Sequence, residues 1–300
     1  MSNDSTVLFT DIHKALSSDK ENQVKPACLL VVGGDLNGTI FDLKLGETSF
    51  GRSVENTYQV ELRGVSRRHF AVHINEEQAI LEDLGSSNGT FLNNAKLDIP
   101  TTLFKGDIIK IGNIAFKYLP KGDPERITFE KLQRDAHTDG LTGCFNKMYF
   151  NNALELELTK SKLNQNPLSL IIFDLDHFKH LNDNYGHDAG DFVLKEMAKI
   201  IKNNGVREND IFARYGGEEF VILLPKTTLA KSVEIAERVR KLIEEYQFMY
   251  DGKRLPVTAS IGVAEYSASM ATGTDLFKRA DQAVYLAKNN GRNQVKYYKE

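Results

Sequence analysis

Two stretches of the chain place acids where acids can act on a ligand. In LSLIIFDLDHFK, Asp174 and Asp176 close a strongly apolar run. Residues two apart on a strand point the same way, so both carboxylates are expected to face one site if the strand continues that far. In RYGGEEFVILLP, Gly216-Gly217-Glu218-Glu219-Phe220 lies between two apolar segments. Paired glycines let a backbone approach a ligand closely, and adjacent carboxylates offer oxygen donors to a hard cation. Mg²⁺ with phosphate suits that donor set, because Zn²⁺ sites favour Cys and His. A plain acidic hairpin tip is the competing explanation.

A different chemistry marks the first part of the chain. Gly51-Arg52-Ser53, Ser66-Arg67-Arg68-His69 and Leu84-Gly85-Ser86-Ser87-Asn88-Gly89-Thr90-Phe91-Leu92 all fall at expected strand edges. Loops at one end of a sandwich can converge there. Guanidinium groups bring charged donors and hydroxyls orient around anions, so the set suits a phosphate. The bland alternative is a solvated basic turn and a core histidine. Gly33-Gly34-Asp35-Leu36-Asn37-Gly38 lacks the Gly-Lys-Ser/Thr ending of a P-loop and reads as a strand connection.

The elements that must hold these residues follow from the apolar pattern. ACLLVV, GTIFDLKL, YQVEL, HFAVHI, QAILEDL, GTFLN and IIKIGNIAFKYL are strand-sized runs between turn signals, which predicts a β-sandwich over 25–120. Asn37-Gly38 and Asn88-Gly89 mark tight turns. A polar interval over 121–138, entered after Pro124, suits a linker helix. From Leu141 onward helical and strand patterns alternate around a central hairpin at GGEE, which predicts an α/β layer with a mixed sheet. Residues 1–24 read as a flexible tail.

Composition narrows the function classes. A chain of 300 residues exceeds the usual size of one core, and 41% hydrophobic with 26% charged residues is ordinary for a globular protein. A net charge of -3 argues against a general nucleic-acid or acidic-membrane binder. Cys28 and Cys144 support neither a disulfide scaffold nor a metal cluster. No run approaches the roughly 20 apolar residues of a membrane span, and the N-terminus is no secretory signal. A cytoplasmic location without nucleic-acid or membrane partners is expected.

The second half resembles the GGDEF family of diguanylate cyclases, from about Asp139 to the C-terminus. DGLTGCFNK, FDLDHFKHLNDNYGHDAGD, RYGGEEF, VTASIGVA and RADQAVYLAKNNGRN carry the likeness in order. The resemblance implies a palm-like nucleotidyl-cyclase fold over 139–300 that condenses two GTP into cyclic di-GMP and pyrophosphate. It implies Mg²⁺, with Mn²⁺ as an alternative, two ions per half-site, held by Asp174, the backbone carbonyl of Leu175, Glu218 and Glu219. Glu219 would be a second-metal ligand or the proton acceptor. Asn182 and Asp191 match guanine-binding positions. A carboxylate there can accept both the N1 and N2 protons of guanine. Lys179, Lys288 and Arg292 match phosphate-neutralising positions, with Gly217 in the nucleotide turn, and Asp139 a structural or coupling one. Ring closure implies a homodimer. Arg207 and Asp210, in an RxxD motif, and Arg238 match the family's inhibitory product site.

The first half resembles a forkhead-associated (FHA) domain over 25–120. That resemblance implies phosphothreonine recognition by Arg52, Ser66, Arg67, Ser87 and Asn88, with Gly51, His69 and Gly89 structural. A phosphate reader on a cyclase implies a Ser/Thr kinase, and Thr6 and Thr10 in the tail are candidate phosphorylation sites. The ligand is this tail or another phosphoprotein. The alternative is a catalytically weak scaffold that binds cyclic di-GMP and phosphopeptide.

Overall fold

The computed structural model describes residues 24–298 apart from Asp35. The chain divides into two compact units, Met1–Leu132 and Gln133–Glu300. The expected tail, with Thr6 and Thr10, lies outside the described residues.

The first unit is built from strands. One sheet runs β2 (Ile40–Asp42), β1 (Cys28–Gly33), β11 (Ile114–Leu119), β10 (Ile108–Ile111), β7 (Phe91–Leu92) and β8 (Ala95–Lys96). The other runs β4 (Tyr58–Gln59), β3 (Gly46–Gly51), β5 (Phe70–Ile74), β6 (Ala79–Asp83) and β9 (Thr101–Thr102). Their inward residues form one core in which Phe41, Phe50, Phe70 and Phe116 meet, Phe50 stacking on Phe70 with centroids 4.6 Å apart. Aromatic pairs of this kind add to the burial of their area. The β3–β4 pair is parallel, unlike its antiparallel neighbours, and sends the chain after Arg52 back across the sheet end.

Helix α1 (Pro124–His137) begins at Pro124, where a missing N–H costs nothing. Its first turns are fastened to the first unit. Arg126 is buried and donates to the Pro26 carbonyl at 2.8 Å while pairing with Asp42 and Glu130, and Phe129 packs on Cys28, Leu30 and Leu119. Burial pushes the thiols of Cys28 and Cys144 up to about 12, so neither is a nucleophile at neutral pH.

The second unit is an α/β layer. After α2 (Lys147–Asn164) comes β12 (Leu168–Leu175), then α3 (Phe178–Tyr185), α4 (His187–Asn204), β13 (Ile211–Gly216), β14 (Glu219–Pro225) and α5 (Leu229–Glu245). A small hairpin of β15 (Phe248–Tyr250) and β16 (Lys253–Leu255) precedes β17 (Ala259–Glu265), α6 (Gly273–Asn289) and β18 (Val295–Tyr297). The sheet order is β13-β14-β12-β17-β18, antiparallel except for β17–β18. All eight residues of β12 are buried, because helices cover both faces of the sheet. Ile171, Phe173 and Leu175 join Val193, Met197, Ile235 and Val239 of α4 and α5 in one core, while α6 lies against β17 and β12.

The expected helices and the hairpin are present, but the pattern missed β3, β8 and β9 in the first unit and α3, β15–β16 and β18 in the second. These elements are two to eight residues long, too short for a clear period. The expectation that β12 extends through Asp176 is corrected: the strand ends at Leu175 and His177 takes a left-handed φ of 57°.

Gly262 sets how closely α6 seats. A Cβ there would lie 2.2 Å from the Ala280 carbonyl oxygen and 2.4 Å from the Val284 amide nitrogen. Gly262→Ala is expected to destabilise the unit by about 2 kcal/mol or more. Urea denaturation measures this, and an unchanged midpoint would mean that the helix does not need the glycine.

Candidate active site

The register of three strands assembles the acidic centre. Asp174 stands opposite Glu219 on β14 and opposite Ser260 on β17. The turn between β13 and β14 is therefore carried alongside the end of β12, and the Leu175 amide donates to the Glu218 carbonyl at 3.4 Å. Gly217 sits at φ 50°, a left-handed conformation that suits glycine. A Cβ added to Gly216 or Gly217 would meet nothing within 4 Å. The outer side of the turn is open to a ligand.

The turn is braced from outside its own hairpin. Arg214 donates from Nε to the Gly217 carbonyl at 2.8 Å and from Nη1 to Asp139 at 3.1 Å. Asp139 is held by the amide and hydroxyl of Thr142 at 2.9 and 2.7 Å. Burial raises its pKa, but these Thr142 hydrogen bonds and Arg214 outweigh it and leave the carboxyl below its ordinary value. Arg214 was not singled out in the sequence; its signal is its position two residues before Gly216.

Asp174 is only 9% exposed. Burial pushes its carboxyl up to about 6, Lys288 opposes the shift, and the nearby charges of Glu218 and Glu219 add to it. Lys288 from α6 reaches Asp174 Oδ1 at 2.9 Å. Asp176 is also buried, but other groups hold it. Its carboxylate accepts from Ser260 Oγ at 2.6 Å, Thr258 Oγ1 at 2.8 Å and the Asn293 amide at 3.0 Å. Asp174 and Asp176 thus take different partners, Lys288 for the first and the Ser260, Thr258 and Asn293 groups for the second, with the strand ending between them at Leu175.

Asn182 on α3 has a buried Oδ1 without a hydrogen-bond partner. A Cβ on Gly190 of α4 would lie 1.9 Å from that oxygen, so the glycine makes room for it. Asp191 and Lys179 are exposed on the same two helices. Arg292 is exposed in the turn after α6, with φ 62°.

Oxygen is the only donor type in the acidic centre: Asp174, Glu218, Glu219 and the Leu175 carbonyl. Among the described residues no three His, Cys, Asp or Glu side chains converge as a metal cage. Mg²⁺ is commonly held by one or two carboxylates and completes its shell with water and substrate phosphates. Buried Asp174 near two further acids, opposed by Lys288, fits such an ion.

At the other end of β13, Asp210 is buried and accepts from the Arg207 amide at 2.8 Å and its Nε at 3.3 Å. The Arg207 guanidinium also reaches Thr227, and Arg238 on α5 donates to the Gly205 carbonyl at 2.7 Å.

In the first unit the loops named from sequence do meet. The Arg52 amide donates to the Ser66 carbonyl at 2.8 Å, and the Ser87 amide to Ser66 Oγ at 3.0 Å. Asn88 donates to the Gly64 carbonyl. His69 is fully buried, with Nδ1 accepting from the Ser66 amide at 3.0 Å and Nε2 lying 3.3 Å from the Gly89 carbonyl. Burial lowers its pKa, so the ring is a neutral brace that donates from Nε2. Gly51 allows close passage, since a Cβ there would lie 2.4 Å from the Arg67 carbonyl oxygen. Arg52 and Arg67 are exposed. Asn56, which carried no sequence signal, is buried and donates to the carbonyls of Ser53 and Arg67 at 2.8 and 2.7 Å.

An acid with a raised pKa binds its proton more tightly when folded, so ionised Asp174 costs the ligand-free protein stability above about pH 6. That cost fades as pH falls through 6 toward 3.8. Asp174→Asn is expected to raise the Tm of ligand-free protein by about 2–4 °C at pH 7.5. The gain should shrink at pH 5. Calorimetry at both values measures this, and a variant less stable than wild type at pH 7.5 contradicts it.

Residues 136–294 match the family model described as diguanylate cyclase, GGDEF domain, and residues 48–112 match the FHA domain model. The chain is 45% identical over 172 residues to diguanylate cyclase A of Treponema denticola, covering 56% of this chain and 46% of that one. It is 43% identical over 162 residues to the response regulator PleD of Caulobacter vibrioides, covering 53% and 36%. The chain therefore spans less than half the length of these curated relatives. The coiled-coil and GGDEF domain of DgcB from Caulobacter crescentus, solved in complex with c-di-GMP, is similar at TM-score 0.54 and 30% identity, covering 58% of this chain and 91% of that one. Because the GGDEF model takes in more than half of the residues, the chain belongs to the family of GGDEF-domain diguanylate cyclases, with an FHA domain ahead of that domain.

Proposed function

We propose that the chain joins two GTP molecules into cyclic di-GMP with release of two pyrophosphates. The observation that carries this reading is the pairing of Asp174 with Glu219, which brings three carboxylates to one strand end beside Lys288. Each domain would hold one GTP, and two domains related by a two-fold axis would present their nucleotides to each other. Asn182 and Asp191 would take the guanine. Lys179, Lys288 and Arg292 would neutralise the phosphates, with Lys288 exchanging its ion pair with Asp174 for the nucleotide's charge. The 3'-hydroxyl of one GTP attacks the α-phosphorus of the other, the α–β phosphoanhydride bond breaks, and pyrophosphate leaves. The hydroxyl proton passes to Glu219 or to water beside it. A pair of divalent ions, Mg²⁺ or Mn²⁺, held by Asp174, Glu218, Glu219 and the Leu175 carbonyl would supply Lewis-acid stabilisation of phosphoryl charge.

Two regulatory inputs complete the proposal. Product would bind at Arg207, Asp210 and Arg238 and slow the enzyme. A phosphothreonine peptide would bind at Arg52, Ser66, Arg67, Ser87 and Asn88, linking output to a Ser/Thr kinase. Among the described residues no helix is long and apolar enough to cross a membrane, and we place the reaction in the cytoplasm, without nucleic-acid or membrane partners. The three carboxylates together favour this reading over a scaffold that only binds cyclic di-GMP.

Purified chain with Mg²⁺ and GTP is expected to give cyclic di-GMP by mass spectrometry. Glu219→Gln should lower turnover by at least about 100-fold. Undiminished synthesis by that variant would remove Glu219 from the chemistry. In the same assay wild-type progress curves should flatten as product accumulates and straighten in Arg207→Ala; identical curvature would rule out that inhibitory site.

Peptides spanning residues 1–24, phosphorylated at Thr6 or Thr10, are expected to bind the full chain. Arg52→Ala should weaken binding by at least about tenfold, since a charge-assisted contact to phosphate is lost. Calorimetric titration reads the affinity. Equal binding of unphosphorylated peptide would refute phosphate recognition, whereas binding only of phosphothreonine peptides of other sequence would point to an external partner.

A further inference from the structure

The turn after α6 is strained and tightly tied. Gly291, Arg292 and Asn293 take φ values of 103°, 62° and 43°, three consecutive left-handed residues of which two carry side chains. Such a run persists only where surrounding contacts over-determine it. Asn293 supplies most of them. Its amide donates to Asp176 Oδ2 at 3.0 Å, its Oδ1 accepts from Arg240 Nη1 at 2.8 Å, and its Nδ2 donates to Glu244 Oε1 at 2.7 Å. On the next residue, Gln294 Nε2 is within hydrogen-bonding distance of the carbonyls of Ala287, Asn290 and Arg292.

Two of the three partners of Asn293, Arg240 and Asp176, are themselves fixed. Arg240 projects from α5 with its side chain only 12% exposed, and grips Glu237 and Glu244 on its own helix at 2.7 Å each. These acids hold its pKa above the ordinary arginine value, with the Glu237 hydrogen bond the largest contribution, so its charge and direction are set. Asp176 is anchored by the hydroxyls of Ser260 and Thr258 at 2.6 and 2.8 Å. It follows directly on Asp174 and Leu175 in the chain.

We propose that Asp176, Asn293 and Arg240 form a positioning clamp that fixes Arg292 relative to Asp174 and so sets how the site grips the polyphosphate. The proposal rests on the cyclase reading for its ligand, but the clamp itself is a property of the ligand-free chain. Asp176 is shared between the strand end that carries the acids and the turn that carries the cation. One buried carboxylate therefore ties both signs of charge to one frame. Arg240 and Asn293 touch no reacting atom in this scheme and act through Arg292.

The test uses the full chain and two variants. Asn293→Gly tolerates the left-handed φ but removes the side-chain ties. Arg240→Met removes the Arg240 tie and leaves Glu244 as the remaining contact from α5, with Glu237 and Glu244 in positions where water can reach them. Hydrogen exchange of the Asn293 amide, followed by NMR without nucleotide, should show protection in wild type and faster exchange in Arg240→Met. Affinities are then measured with Mg²⁺ for α,β-methylene-GTP, which cannot release pyrophosphate, and for GMP, which lacks the β and γ phosphates. Each variant is expected to lose about tenfold affinity for the triphosphate analogue, with GMP binding changed by less than about twofold. Combined with Arg292→Ala, neither should cause a further loss, because both act through that residue. Losses shared equally by the two ligands, or additive with Arg292→Ala, would overturn the clamp and mark a general structural role. Wild-type binding with unchanged affinities in the variants would overturn the clamp alone. A wild-type chain that binds neither ligand would overturn the cyclase reading and the phosphate role together, even with the amide protected.

Discussion

The burial of one carboxylate at the end of a wholly buried strand governs the second unit. Asp174 cannot be moved out into water without breaking β12, which is paired on both sides and covered on both faces. Its charge is therefore costly unless cations answer it. Lys288 does so in the ligand-free chain, and the neighbouring acids make that answer incomplete. A site arranged in this way gains most when it takes up further positive charge, which is the physical reason for expecting a metal-bearing nucleotide there.

Other features of this unit secure the surroundings of that group. Arg214 ties the Gly217 turn to Asp139, so the start of the domain and its acidic turn share one ion pair. Gly190 leaves space for the unpartnered Asn182 oxygen, and Gly262 brings α6, with Lys288, down onto the sheet. Asp176 and Asn293 then lock the turn that follows. These contacts join residues far apart in the chain, which is how a site made of short turns remains rigid.

The first unit solves a different problem, the presentation of exposed arginines on loops that other side chains close. Neutral His69 connects the Ser66 loop to the Gly89 turn from beneath, and Asn56 connects Ser53 to Arg67. The Asp83 carboxylate adds a charged tie, accepting from the amides of Gly85 and Ser86 and from the hydroxyls of Ser86 and Thr90. Arg52 and Arg67 remain exposed at the surface they share.

Much of this was legible in the residues. Long apolar runs such as Leu168–Leu175 have enough period and length to declare themselves, and GGEE with Asp174 declares a hard-cation chemistry, because residue type and short-range spacing fix which atoms are offered. The short elements α3, β15, β16 and β18 did not show, since three to eight residues hold too little pattern. Asp176 shows the limit most clearly. By type and spacing it was the equal of Asp174, yet the strand stops at Leu175 and the two carboxylates turn to different partners. The sequence by itself determined the two domain types and the stock of charged groups. Only tertiary structure decided which acid faces Lys288, which one braces Asn293, and that Arg240 and Asn56 matter at all, because those roles depend on contacts between segments whose separation in sequence says nothing of their meeting in space.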